Sequence, residues 1–545
     1  MDGQKSCQAC AFRPRWWATA STILALVVLL ASVQPVQARR CNLKISGEMP
    51  EDWDVSGYEV SPDGLSVVYT AEQWWGEGFG LFRVNLTGGP PVKLNGALGK
   101  GSRRLTFSIS PDGQWVVYWD DQDTPGVLEL YSVPITGGMQ IKLNSELAVG
   151  AEVRGFSISP DSQRVVYEVG QTLEDVNELF STPIFGGTPI KLNGDLVEGE
   201  FVWDASISPD SQRVVYLTYQ RAADIFNLYS VPTAGGESIK LDSDLDEGGV
   251  VSNYRISPDS QRVVYLAYQD ANDVSELYST FLSGGTPVKL NGDLVEGREI
   301  RRFLISPDSL RVVYLADQQN DDIFELYSVL VTGAARVKLN GSLVSSGDVT
   351  TRFEISQDSQ RVVYAADQRV NSIYELFSVP LAGGTALLIS HNRQLYFEYE
   401  VPGVPFFRIS ADGQYAVFYA WDEIYPDAVE LCSVSTDGSS IYILTYEMNR
   451  GLYDSFNINP SSHTVEFRSN LVDPEVMNLV QAPINRDSYQ WWNQLNGWLI
   501  EAGDVTSWEY GPGGNYVVYR ADQELDEKFE LYVTFDGIFL PLVRR

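Results

Sequence analysis

The tripeptide Ser-Pro-Asp begins at Ser61, Ser110, Ser159, Ser208, Ser257 and Ser306, a constant step of 49 residues. Altered copies follow at Ser356, Ser410, Asn459 and Gly511, so ten units of one pattern fill the chain from about residue 48 to residue 545. A period of this length marks a repeated supersecondary element whose apolar faces are covered by its own copies.

One unit is readable in full between Arg301 and Asn340. Arg302-Phe303-Leu304-Ile305 is a short strand entering the turn at Ser306-Pro307-Asp308-Ser309, where proline presets φ and Asp and Ser bond nearby backbone groups. Arg311-Val312-Val313-Tyr314-Leu315 is β-branched and aromatic, which predicts a second strand. After the polar loop Asp317 to Asp322 come a third strand, Phe324 to Val329, a glycine turn and a fourth strand, Val337-Lys338-Leu339. In most units that turn is a Gly-Gly pair, as at Gly235-Gly236, because a tight hairpin requires positive φ. Each unit is thus a four-stranded antiparallel meander.

Val-Val-Tyr is apolar on both faces of its strand, so every sheet needs a neighbour on each side. A linear stack leaves two apolar end faces, and neither end of this chain carries an obvious polar cap. Radial closure covers all faces, which predicts an all-β propeller. Ten sheets exceed the usual four to eight, but the unbroken 49-residue step offers no linker. One large ring is therefore favoured over the alternative of two smaller rings. Cys41 to Ile45 resembles a fourth strand and is expected as a closing strand within residues 39–47.

The first 38 residues differ from the rest. Lys5, Arg13 and Arg15 precede an apolar run from Trp16 to Val33 and the small-residue site Val36-Gln37-Ala38, which reads as a cleaved signal peptide. The alternative is an uncleaved N-terminal helix acting as an anchor. Both place the propeller outside the cytoplasm, whether periplasmic, secreted or on the cell surface. Cys7 and Cys10 leave with the leader; Cys41 and Cys432 remain, and whether they pair is open. A net charge of −33 disfavours nucleic acid and anionic lipid as partners.

In order, Ser-Pro-Asp-Gly/Ser, Val-Val-Tyr, Glu-Leu-Tyr-Ser, Gly-Gly and Lys-Leu resemble the WD40-like (PD40) repeat of TolB-type β-propellers, over nearly all of residues 48–545. The resemblance implies a propeller, without the N-terminal α/β domain that TolB-type proteins carry. That family includes periplasmic binding scaffolds, peptidase-associated propellers and lyases, so it does not fix function.

Chemistry is sparse. No Gly-x-Ser-x-Gly elbow occurs, and the two histidines, His391 and His463, lack metal-ligand spacing. The acidic loops Asp120-Asp121-Gln122-Asp123 and Asn320-Asp321-Asp322 do not match a calcium-loop pattern and read as solvated loops, with Ca²⁺ left open. Recurrent pairs such as Asp161 with Arg164 read as a structural belt of charges. No catalytic, cofactor or metal residue is assigned, and the chain is expected not to be an enzyme.

Binding is sought where the repeat is broken. Arg103, Arg104, Arg154, Arg301, Arg302 and Arg352 enter first strands at different units, and Trp491 and Trp492 stand in the longer spacing before the tenth. These are the candidate partner-binding residues, the arginines for an anionic group and the tryptophans for a partner or sugar ring. The expected function is a scaffold for a protein or envelope component. The alternative is a glycan-binding or lyase-like, polysaccharide-active propeller.

Overall fold

Each Val-Val-Tyr segment forms the second strand of a four-stranded antiparallel sheet, as in Arg262–Tyr268 and Arg361–Ala366. The computed structural model describes residues 42–535 apart from 48, 51–52, 74–78, 97–104, 172–175, 198, 243–249, 269–273, 295–296, 335, 392, 396–406, 422–427, 446–447, 450–455, 461–463, 474–475, 488–492, 501–502 and 526. Among the described residues the chain is all-β, with one 3-10 turn at Pro512–Gly514. In every sheet but the last the four main strands lie in chain order, and the fourth and fifth sheets are bridged by one parallel pair, Phe226 with Val250.

The last sheet is completed from the other end of the chain. Val505–Tyr510, Tyr516–Ala521 and Glu530–Phe535 supply three strands, and Asn42–Lys44 adds the fourth, with Lys44 opposite Tyr532. That register is the one in which Lys289 faces Tyr278 in the fifth sheet. The side chains repeat it too. Lys44 pairs with Glu530 at 2.6 Å as Lys191 pairs with Glu178 at 2.6 Å. The Leu531 N–H donates to Ser46 Oγ where other sheets use an asparagine, such as Leu130 N–H to Asn144 Oδ1 at 2.7 Å.

The turn chemistry explains the recurring serines. Ser257 Oγ donates to Asp259 Oδ1 at 2.6 Å and accepts from the Arg262 N–H, closing the turn. The next serine, Ser260, sits at φ 60, a left-handed conformation that costs energy outside glycine. Its hydroxyl accepts the Asp210 N–H of the preceding sheet at 2.9 Å. The same bond joins Asp112 to Ser162, Asp161 to Ser211, Asp259 to Ser309 and Asp308 to Ser359. A hydrogen bond between sheets thus offsets the strain of a non-glycine residue there.

Glycine in the strand-three to strand-four turn has a second role besides positive φ. A Cβ on Gly235, at φ 88, would lie 2.7 Å from Ile190 Cγ2 on the outer strand of the preceding sheet. The turn therefore doubles as a point of close approach between sheets.

Packing is continuous from sheet to sheet. Buried clusters join each sheet to the next, such as Val264, Leu266 and Leu277 with Phe303, Tyr314 and Val329. A further cluster joins the last sheet to the first through Tyr516, Val518, Leu531 and Val533 with Val55, Val67, Tyr69 and Val84, sealed by Ile45. The Val-Val-Tyr tyrosines are the recurrent anchors: Tyr314 is fully buried and stacks on Tyr327 at 5.4 Å.

Two sequence expectations are refined. The turn aspartates Asp161, Asp210 and Asp259 act electrostatically on Arg164, Arg213 and Arg262, as the recurrent pairs suggest. The arginines also bond across the sheet: Arg164 Nε donates to Ser181 Oγ at 2.7 Å and Arg213 Nε to Ser230 Oγ at 2.7 Å, tying strand two to strand three. A further belt, of ion pairs, lies between strand-four lysines and strand-three glutamates. Of the acidic loops, Asn320, Asp321, Asp322 and Asp123 are exposed, as expected of solvated loops, whereas Asp120 and Asp121 are buried and structural, Asp120 Oδ2 accepting from Asn95 Nδ2 at 3.0 Å.

Candidate functional site

Strand one is an edge strand of its sheet, and neighbouring first strands approach one another, so these strands form the inner edge of the assembly. Their pairing with strand two is interrupted by a β-bulge in seven sheets among the described residues. The unpaired residues are Ser56, Arg154, Trp203, Ser252, Arg301, the stretch 350–352 including Arg352, and Thr506. A bulge frees one side chain from the ladder and re-aims it, a device common beside functional sites. Arg154, Trp203, Arg301 and Arg352, which break the repeat pattern, thus stand outside the ladder between strands one and two.

Three bulge side chains fold back over the strand-three start of their own sheet. Arg154 Nη1 donates to Asn177 Oδ1 at 2.6 Å. Trp203, 58% exposed, packs edge-on against Tyr219 and Phe226. Arg301 lies 3.5 Å from the Phe324 ring centroid while its Nε donates to Glu299 Oε1 at 2.7 Å. One face therefore carries Arg154, Trp203 and Arg301 beside the loops between strands two and three.

Arg302 and Arg352 belong to a second group on the inner edge. Arg302 is half-buried, 5.0 Å from the Phe353 ring centroid, and its Nη1 donates to the Thr351 carbonyl of the next sheet at 2.6 Å. Burial, then the charges of Arg255 and Arg352, and beyond them Arg408, push its guanidinium below the usual range, with Glu354 opposing. Glu354 Oε2 accepts the Ile409 N–H at 3.0 Å and Oε1 lies 3.4 Å from Arg408 Nη1. Sequence reading missed Arg255 and Arg408. Both stand two residues before a turn serine, Ser257 and Ser410, and that offset was the available signal.

The carboxylates stand elsewhere on the inner edge. Glu509 Oε2 accepts the Val60 N–H and Glu59 Oε2 the Ile109 N–H, each bridging to the following sheet. Burial pushes the Glu59 carboxyl up to about 7; the Ile109 bond opposes this and the Glu509 charge adds to it. Glu168, beside Asp204 and Arg154, is likewise pushed up to about 7, chiefly by burial. A carboxyl raised on folding holds its proton more tightly in the folded chain. Its contribution to stability is full below its ordinary value near 4.5 and is lost as pH rises through about 7. The melting temperature is therefore expected to fall between pH 5 and pH 8, with a shallower fall for Glu59→Gln/Glu168→Gln. An identical pH profile for that variant would contradict this assignment.

Other sequence-selected residues fall apart from these groups. Arg103, Arg104, Trp491, Trp492, Cys41 and His463 lie outside the described residues. Trp498 is 93% exposed, His391 is exposed in a turn, and Cys432 is buried with its Sγ 4.0 Å from Glu430 Oε2. Among the described residues no three His, Cys, Asp or Glu side chains gather as a metal site requires, and no helix is long and apolar enough to cross a membrane.

No protein-family model and no curated protein sequence matches the chain. Among solved structures, dipeptidyl peptidase 4 from Porphyromonas gingivalis is similar at 12% identity and TM-score 0.46, covering 71% of this chain and 58% of that one. The chain thus spans less than two thirds of that peptidase. A putative TolB from Agrobacterium tumefaciens is similar at 19% identity and TM-score 0.26, covering 46% of this chain and 86% of that one. An oligogalacturonate lyase solved with manganese is similar at 13% identity and TM-score 0.35, covering 72% and 98%. Two of these three are enzymes, which removes the sequence-based expectation that the chain is not one. The four-stranded sheets, each packed on the next and the last on the first, show a propeller-like, all-β fold, a scaffold that does not by itself separate binding from catalysis.

Proposed function

We propose that the chain is an extracytoplasmic propeller, its ten sheets closed in one ring, that binds a protein or another envelope component on the face bearing its bulges. The observation that carries this reading is the bulge itself. The same structural irregularity recurs from sheet to sheet, yet it presents Arg154, Trp203 and Arg301 at positions that no scaffold bond requires to be conserved in type. Arginine and tryptophan are the residues that dominate binding energy at interfaces. The basic leader-like segment at residues 1–38 supports an extracytoplasmic location.

The test is capture from an envelope fraction by the tagged full chain. Arg154→Ala/Trp203→Ala/Arg301→Ala is expected to lower capture of a specific component by about tenfold or more, each hot-spot truncation costing about 2 kcal/mol or more. Unchanged capture by a folded variant would overturn the assignment of this face.

Trp203 favours a second reading. An exposed indole supported by two aromatic rings, with Asp204 exposed and the Tyr219 hydroxyl bonded to Asp224 beside it, suits a sugar ring as a ligand. Quenching of tryptophan fluorescence by an oligosaccharide, absent in Trp203→Ala, would select that reading.

A further inference from the structure

We infer that Arg255, Arg302, Arg352 and Arg408 form a binding site for a phosphoryl group on the inner edge of sheets five to eight. The argument begins with register. Arg255 and Arg408 stand two residues before their turn serines, and Arg302 and Arg352 stand four before theirs, at Ser306 and Ser356. Successive side chains of a strand alternate in direction, so Arg302, in the ladder opposite Leu315, shares a side with the positions two before the turn, while Arg352, in the bulged stretch 350–352, lies close enough for its charge to act on Arg302. Four neighbouring first strands thus bring their guanidinium groups to one stretch of wall.

The wall is graded in depth. Arg302 is half-buried over Phe353 and fixed by the Thr351 carbonyl, whereas Arg255 and Arg408 are exposed at its rim. Glu354 is the carboxylate set against Arg302, and its own oxygens are engaged by the Ile409 N–H and by Arg408. The Arg408 contact, at 3.4 Å, is long for a hydrogen bond and is readily exchanged. Gathering cations in a chain of net charge −33 opposes the surrounding surface, and repulsion around Arg302 is what an incoming anion relieves.

A phosphoryl group fits this arrangement better than a single carboxylate. It carries close to two negative charges and three acceptor oxygens, and guanidinium forks match its geometry. One arginine saturates a carboxylate; several are needed to saturate a phosphoryl group. The group would arrive either as free phosphate or as a phosphomonoester of an envelope component. The inference does not depend on the bulge face, since none of its four arginines is among Arg154, Trp203 and Arg301.

The test titrates the full chain with inorganic phosphate and with glycerol 3-phosphate by calorimetry, at ionic strength matched with sodium chloride and with sodium acetate as the carboxylate control. Binding of either phosphate in excess of acetate is expected, tighter for glycerol 3-phosphate if the natural source is an ester and tighter for inorganic phosphate if it is the free ion. Arg302→Gln is expected to weaken it at least about tenfold, the loss of a charge-assisted hydrogen bond. Arg255→Gln, at an exposed position, decides the matter if Arg302→Gln does not fold. No binding above the acetate control, or unchanged affinity in Arg255→Gln and in folded Arg302→Gln, would overturn the site. Capture through the bulge face is scored separately with the Arg154/Trp203/Arg301 variant, so failure of one leaves the other readable.

Discussion

A chain lacking the strand Asn42–Lys44 and the residues up to 47 is expected to lose cooperative folding of its first and last sheets. The truncation leaves the edge of Glu530–Phe535 unpaired, and an open edge invites association with other chains. It also removes Ile45, 1% exposed in the cluster between the last and first sheets, and the Ser46 carbonyl that accepts the Tyr69 hydroxyl at 2.8 Å. Ile45→Ala alone should cost about 2–5 kcal/mol, the range for a large-to-small core change. Hydrogen exchange measures where the loss falls. Amides of Glu530–Phe535 and Ser66–Gln73 should lose protection first, while those of Arg262–Tyr268 in the fifth sheet keep theirs. Uniform protection in the truncated chain would mean that this strand holds nothing together.

The second large effect concerns the tyrosine anchors. Tyr314→Ala removes a fully buried ring stacked on Tyr327 and leaves the Gln318 side chain without its phenol partner. The expected cost is about 3–5 kcal/mol by denaturant unfolding. Tyr69→Ala should cost about as much, although Tyr69 lies in the first sheet, because it is 1% exposed and covered from the last sheet. In an open stack the first sheet would be an end, and the same substitution there would be far milder than at Tyr314. Equal costs at the two positions support closure; a cost several-fold smaller at Tyr69 argues against it.

Much of the fold was legible because the repeat encodes local chemistry directly. Ser-Pro-Asp announces a turn whose Ser and Asp side chains bond within it, and Val-Val-Tyr announces a strand buried on both faces, as Ser257 with Asp259 and Val312-Val313-Tyr314 bear out. The links between sheets were not legible. That Ser260 reaches the backbone of Asp210 depends on two turns meeting across a gap of 50 residues, which no local pattern records. The arginine bonds were half legible for the same reason, since Arg164 feels the charge of Asp161 along the chain but also bonds Ser181 across a ladder.

The candidate site divides along similar lines. Pattern-breaking drew attention to Arg154 and Arg301, and the structure gives the reason: both occupy bulges, which relieve them of pairing duties. Arg302 was found on the same grounds but answers to a different geometry, the alternation of a strand facing its neighbours, while Arg352 stands in a bulged stretch with its charge acting on Arg302. Reading alternation across units, rather than departures within one, would have found Arg255 and Arg408 as well.

The central claim is that the sheets close on themselves, the last against the first, in a single ring. Cryo-electron microscopy of the purified full chain, viewed along the axis of its first strands, tests it most directly. Ten sheets at even angular spacing around one channel are the result expected from the packing of Val518 and Val533 against Val55 and Val67. Two separate rings, or an arc with a gap between the first and last sheets, would contradict it.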